Sequence, residues 1–363
     1  MPRRDGRALD NAAAPRMRRA GVAFADCGVA DCGARNSLVR YRVLVRFVRH
    51  PGSMPDCALC CRSLRGFSYS MQATGRNELF SLIQVSGDDA ASFLQGQLTQ
   101  DVRKLDRAPA LLAAGCNAKG RVIAVMRILA MDEGIGMIVP RGLAEVAVRR
   151  LSMFRLRAKV QFDTVGDGWQ ATAVTAGDDL AKLGAAGLLP DRGPLSACRN
   201  IPIVAFDTGS EPRCIEVFGP GSAFRDLDLH FAQPLDDDAW RAALIAAGIP
   251  TITETTSERF TPHMLNLDLL GAISFAKGCY TGQEVVARTQ HLGQAKRRLL
   301  RYRLESGHAA SGDKLRHEDR DVGEIVDICG RDLLAIVPLA LRNESLEVAG
   351  QTATRAAMPY QIP

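Results

Sequence analysis

A thiol, two glycines, two cations and a helix start fall together in the stretch Lys277-Gly278-Cys279-Tyr280-Thr281-Gly282-Gln283-Glu284-Val285-Val286-Ala287-Arg288. Thr281 to Glu284 has the S/T-x-x-E spacing of a capping box, which predicts a helix beginning at about Thr281. The free amides and aligned peptide dipoles of such a start favour an anion, and Lys277 and Arg288 supply positive charge. Together they bias Cys279 toward thiolate and make it the candidate working thiol. The same residues also describe an inert small cysteine beside a tight turn, so spacing alone leaves both readings open.

The motif resembles the signature of the YgfZ family of folate-binding, tRNA-modification proteins, whose mitochondrial relatives serve iron–sulfur protein maturation. Further blocks carry the resemblance in the family's order: Ser86 to Ala90 with Phe93-Leu94-Gln95-Gly96-Gln97-Leu98-Thr99-Gln100-Asp101-Val102, then Leu111 to Arg121. Ala247 to Pro250 and Phe260-Thr261-Pro262-His263-Met264-Leu265-Asn266-Leu267 follow, with His263 standing where the family has glutamine. The resemblance runs from roughly Asn77 to the C-terminus. It implies the fold of the glycine-cleavage T-protein, with lobes around a folate-sized opening.

It also implies a site. A pterin is a flat, partly polar ring that favours an aromatic platform and a few fixed hydrogen-bond groups, while a glutamate tail needs a cation. The family's tryptophans match Phe80 and Trp240, Phe80 keeping a stacking face without an indole N–H. Asn117, Lys119, Arg121, Arg259 and Tyr280 are the accompanying polar candidates, with Lys277 and Arg288 assisting Cys279. In T-protein the hairpin after the Asn-x-x-Gly turn carries an aspartate essential for transfer to tetrahydrofolate. Here Ala124 and Val125 stand at the acidic positions, and neither can hold or move a proton.

The implied function is therefore a cytoplasmic protein that binds tetrahydrofolate or another folate. Through Cys279 it would support iron–sulfur enzymes, including those that thiomethylate tRNA. Two alternatives stand beside it: a folate-dependent methyl- or aminomethyltransferase, and an RNA-binding module in direct contact with RNA.

The elements that must position these residues are legible from pattern. With 363 residues, 47% hydrophobic and 24% charged, the chain can bury a large core divided among about two or three domains. No run reaches the ~20 apolar residues that span a bilayer, so no membrane role is expected. Of the ten cysteines five lie in the N-terminal extension, and Cys116, Cys198, Cys214, Cys279 and Cys329 are scattered through the body without disulfide-like spacing, which suits a reducing compartment. Cys57-Ala58-Leu59-Cys60 has no second pair at zinc-ribbon distance, no phosphate-binding glycine motif occurs at a strand–helix junction, and no metal is expected.

The formal net charge of +6 is concentrated in the arginine-rich first seventy residues. Residues 1–70 read as a disordered extension, an arm for RNA, or a start codon placed too early, the native protein beginning near Met54 or Met71. The last is preferred. An organelle-targeting segment fits poorly, because Asp5, Asp10, Asp26 and Asp31 interrupt it.

Residues 71–160 read as a first α+β lobe: a strand at Leu79–Val85, a helix through Phe93, a hairpin over Leu111–Cys116 and Val122–Met131, a strand at Ile135–Val139 and a helix over Leu143–Phe154. Residues 161–295 form a second lobe, opening on a strand near Val160 and ending in the cysteine motif. Residues 296–363 predict a small C-terminal β-barrel, with Arg297, Arg298, Arg301 and Arg303 on a charged edge strand. The fold class is α+β, with mainly antiparallel sheets around a central cleft.

Overall fold

The computed structural model describes residues 79–363 apart from Asp167, Ala176, Pro194, Ile201, Gly293, Gln294 and Gly307. The N-terminal extension and its paired cysteines lie outside the described residues.

The first sheet has the order β2-β3-β4-β1-β5 and is antiparallel throughout: β1 (Phe80–Ser86), β2 (Ala110–Cys116), β3 (Val122–Met131), β4 (Gly134–Pro140) and β5 (Gln161–Val165). β3 is buried along nearly its whole length, which explains a sequence that is apolar except for Arg127: both of its faces are covered. One face packs on α1 (Ala90–Gln95) and α2 (Ala144–Phe154) through Met126, Ile128, Phe93, Leu94 and Leu151. The other meets a second sheet.

That second sheet, ordered β6-β9-β8-β7, comprises β6 (Trp169–Val174), β7 (Ala197–Asn200), β8 (Ile203–Asp207) and β9 (Ile215–Pro220), with α3 (Gly177–Ala185), α4 (Gly221–Asp226) and α5 (Asp237–Ala246) around it. Phe80, Leu82, Leu129 and Ile138 pack on Val204, Phe206, Phe218 and Trp240 to form the core between the sheets. At its centre the buried Arg127 guanidinium pairs with Glu216 at 2.5 Å.

Two boundaries differ from the sequence reading. The strand expected to open the second lobe is β5, which pairs with β1 and closes the first sheet. Strand patterning specifies which face is buried, and leaves open which sheet the strand joins. The segment after α5 also returns to the first lobe: Ile252, Phe260, Leu265, Leu267 and Ala272 belong to the same core as Val85 and Leu94. The cysteine motif therefore sits on the first lobe, not at the end of the second.

After α6 (Gln283–Leu292) the C-terminal strands close a barrel in the order β10-β13-β12-β11-β14-β15. These are β10 (Arg297–Leu304), β11 (Lys314–His317), β12 (Arg320–Cys329), β13 (Asp332–Pro338), β14 (Leu346–Val348) and β15 (Gln351–Ala356). The charged edge strand of the sequence reading is corrected here. β10 is hydrogen-bonded on both sides, to β13 and β15, and closure leaves it no edge. Of its cations, Arg298 pairs with Asp268 at 2.6 Å and Arg301 with Asp332 at 2.9 Å, while Arg297 and Arg303 stay exposed.

Candidate functional site

The sequence blocks that carry the family resemblance, though scattered along the chain, are bonded to one another. Thr99 is the hub. Its hydroxyl donates to the Ala272 carbonyl at 2.7 Å and accepts from the Ala114 amide at 2.9 Å, while its own carbonyl accepts from Ser274 N at 3.0 Å. Gln100 Nε2 donates to the Gly271 carbonyl at 2.6 Å. Lys277 Nζ donates to the carbonyls of Leu98 and Gln100, both at 2.8 Å. The loop that follows α1 is thus stitched to the loop that carries the thiol.

The second seam joins that loop to the β2–β3 hairpin. Asn117 Oδ1 accepts from the amides of Lys119 and Arg121 at 2.9 and 3.0 Å, which folds the turn on itself, and Asn117 Nδ2 donates to Glu258 at 2.6 Å. On this turn rests Gly282 at φ +83°, where a Cβ would lie 2.5 Å from the Asn117 carbonyl oxygen and 3.0 Å from Gly120 Cα. Only glycine combines that backbone with that approach.

Side chains along the motif alternate between the interior and solvent. Lys277 and Tyr280 are buried, the ammonium lying 5.1 Å from the Tyr280 ring centroid, while Gly278 and Cys279 between them are exposed. Burial lowers the Lys277 pKa to about 8 despite the opposing pull of Asp101, and burial raises that of Tyr280. Beneath the motif, burial pushes the Cys116 thiol up to about 12. Of the described cysteines, Cys279 is the exposed one.

Several sequence expectations are corrected. The helix begins at Gln283, and the Thr281 hydroxyl donates to Gln97 Oε1 at 3.2 Å instead of closing a capping box. Lys277 spends its hydrogen bonds on backbone carbonyls, and Arg288 pairs with Glu284 at 3.0 Å on an exposed helix face, so neither cation is reserved for the thiol. The motif's lysine is a clamp that positions the loop.

The expected pterin platform is core. Phe80 and Trp240 are 5% and 1% exposed, their rings 5.3 Å apart, and Phe218 packs on both. The Trp240 N–H donates to Glu216 at 2.8 Å, and the Arg127 guanidinium lies 5.1 Å from the Phe80 ring centroid. Burial raises the Glu216 pKa against the opposing field of Arg127.

The polar candidates are also largely committed. Arg259 holds Glu324 of the barrel at 2.7 Å, and Arg121 donates to the Arg259 carbonyl at 2.7 Å. Lys119 alone of this set keeps an exposed charged group without a side-chain partner. These residues do not fit a preformed folate site. His263 is buried, with Nε2 3.0 Å from Gln290 Oε1.

Sequence reasoning missed Gln97, Thr99, Glu216 and Glu258 as the groups that hold the site. The signal for the first two was their place in the block after α1; nothing local marked the two glutamates. Among the described residues no His, Cys, Asp and Glu cluster could hold a metal ion, and no helix is long and apolar enough to cross a membrane.

Two stacked antiparallel sheets, a returning loop seated on a turn and a closed terminal barrel define a T-protein-type fold. The aminomethyltransferase T of the glycine cleavage system from Bartonella henselae superposes with a TM-score of 0.59 over 78% of this chain and 84% of that one, at 16% identity. Sequence takes the assignment further. The chain is 35% identical over 234 residues to the tRNA-modifying protein YgfZ of Klebsiella pneumoniae (strain 342), covering 61% of this chain and 68% of that protein. It is 31% identical over 255 residues to the tRNA-modifying protein YgfZ of Sodalis glossinidius, covering 66% and 74%. The chain belongs to the YgfZ family. No family model matches it.

Proposed function

We propose that this protein supports tRNA modification by offering Cys279 to iron–sulfur client enzymes, those that thiomethylate tRNA among them, in a reducing, cytoplasmic setting. The observation that carries the reading is that separate stretches of the chain hold one loop whose outward side chain is a thiol, through the buried hydrogen bonds of Thr99 and Lys277 and the close seat of Gly282 on the Asn117 turn. A fold gains nothing from so fixing an exposed cysteine. The names of the relatives, tRNA-modifying proteins, support the same reading.

Transfer chemistry of the T-protein kind is disfavoured by what lies behind the turn. Ala124 and Val125 are buried hydrocarbon and can neither accept nor deliver a proton. Binding of tetrahydrofolate or another folate belongs to the proposal on the strength of the family. Because Phe80 and Trp240 cover each other's faces, it requires that pair to separate or another surface to receive the ring.

The deciding experiment replaces the thiol. In a strain lacking its own copy, Cys279→Ser is expected to fold with an unchanged melting temperature and to leave thiomethylated tRNA nucleosides at the level of the empty vector. Full complementation overturns the proposal. For the folate part, Trp240 fluorescence in Trp169→Phe is expected to change saturably with tetrahydrofolate, and a flat titration removes that part alone.

A further inference from the structure

The C-terminal end of α2 has features that the thiol site does not use. From Ser152 to Arg157 every residue is exposed, including Met153 at 57%, Phe154 at 38% and Leu156 at 90%. Leu156 holds a left-handed backbone at φ +40°, a conformation that costs a leucine about 1–2 kcal/mol and that glycine or asparagine would adopt more easily. Inside this chain the leucine side chain gains no burial in return.

Beside this apolar run, α2 and the first sheet border a small crevice of about 30 Å³. Its walls are hydrocarbon and thioether, from Ala124, Met126, Ala147, Leu151 and the ring of Phe154. Arg150 supplies the charge. Its guanidinium lies 5.3 Å from the Phe154 ring centroid, and its buried Nε has no acceptor. Arg149, Arg155 and Arg157 are exposed, and their side chains likewise have no carboxylate or hydrogen-bond partner among the described residues. In this stretch only Lys159 is paired, with Asp88 at 3.1 Å.

We propose that this end of α2 is a docking surface for an acidic segment of a partner protein, which lays its apolar side chains over Met153, Phe154 and Leu156 and sets flanking carboxylates against Arg149, Arg150, Arg155 and Arg157. The exposed Met153, Phe154 and Leu156 gain from an apolar cover, and guanidinium groups without a carboxylate gain from acidic neighbours. An apolar residue next to Asp or Glu offers both.

Other occupants fit less well. A single-stranded nucleic acid stacks successive bases on several rings, and from Ser152 to Arg157 the surface offers the ring of Phe154 alone. The chain's own N-terminal extension is rich in arginine and carries the same sign of charge. Nucleic acid and a second copy of the chain are accordingly outcomes of the test.

The crevice is also lined by Gln97 and Cys116, the first bonded to Thr281 and the second beside Gly282, so the docking surface adjoins the base of the thiol loop. That proximity gains meaning from the thiol reading; the docking itself does not depend on it.

The test uses the full chain and a fluorescein-labelled peptide, Asp-Glu-Leu-Phe-Glu-Asp, read by fluorescence anisotropy. Saturable binding is expected, weakened at least ~10-fold by Arg150→Glu or Arg155→Glu and by Leu156→Ser, and lost when serines replace the peptide's apolar pair. Arg155 and Leu156 are exposed, so those variants decide the matter if Arg150→Glu fails to fold. Cys279→Ser is expected to bind the peptide as the parent does, which separates this proposal from the thiol reading. Equal binding of the serine peptide, or no effect of Arg155→Glu, overturns the proposal. So does a tRNA transcript, or self-association seen by light scattering, that depends on these arginines while the peptide does not bind.

Discussion

Gly282 meets Asn117 backbone to backbone, with room for a hydrogen and none for a methyl group: a Cβ on Gly282 would stand 2.5 Å from the Asn117 carbonyl oxygen. This contact seats the thiol loop on the β2–β3 turn. It makes the second glycine of the motif structural in a way the first is not, because a Cβ on Gly278 meets nothing within 4 Å.

Gly282→Ala is therefore expected to lower stability by about 3 kcal/mol, from a left-handed backbone and a backbone collision together. Gly278→Ala is expected to stay within ~0.5 kcal/mol of the parent. Urea unfolding of the two variants provides the comparison, and equal stabilities would remove the seating role assigned to Gly282.

The thiols should separate by reactivity. Cys279 is exposed, whereas Cys116 and Cys214 are buried with their thiols pushed up by desolvation. Under limiting iodoacetamide at neutral pH, peptide mass spectrometry should find Cys279 alkylated well before Cys116 or Cys214. Alkylation of Cys116 at a matching rate would mean that the loop above it opens.

Lys277 links the loop to pH. Its pKa of about 8 in the fold lies below the ordinary 10.5, so between those values the unfolded chain binds more protons than the folded one and stability rises with pH. The cost of burying the ammonium is fully present below about pH 8 and is relieved as pH climbs toward 10.5. Lys277→Met, which leaves the carbonyls of Leu98 and Gln100 without their donor, is expected to lose about 2 kcal/mol at pH 7. The gap between parent and variant should widen from pH 8 to 10. A gap independent of pH would show that the lysine does not titrate there.

The pair between the sheets can be tested apart from the thiol. Glu216→Gln leaves the Arg127 guanidinium buried without a counter-charge and is expected to destabilise the chain by about 3–5 kcal/mol in urea unfolding. Arg127→Met combined with Glu216→Leu should recover much of that loss, since the surroundings are Phe80, Phe206 and Phe218.

Much of this was legible in the sequence. The hairpin of β2 and β3, the helix α2, the terminal barrel and the prominence of Cys279 follow from local signals: alternation, one-face spacing, turn residues and a glycine-bracketed thiol. Those signals depend only on neighbours along the chain. The partners of Phe80, Arg259 and Lys277 could not be read in the same way. A buried aromatic and a ligand platform have the same sequence signature, and an arginine poised for a ligand looks like one bound to Glu324.

By itself the sequence determined which segments become strands and helices and which loop carries the thiol, because burial along an element imposes a period on it. Only the tertiary structure decided that Phe80 and Trp240 close on each other, that β5 joins the first sheet, that Lys277 is a clamp, and that Asn117 meets Glu258 from 141 positions away. The reason is geometric: a periodic pattern states that a face is covered, and the packing of remote segments chooses what covers it.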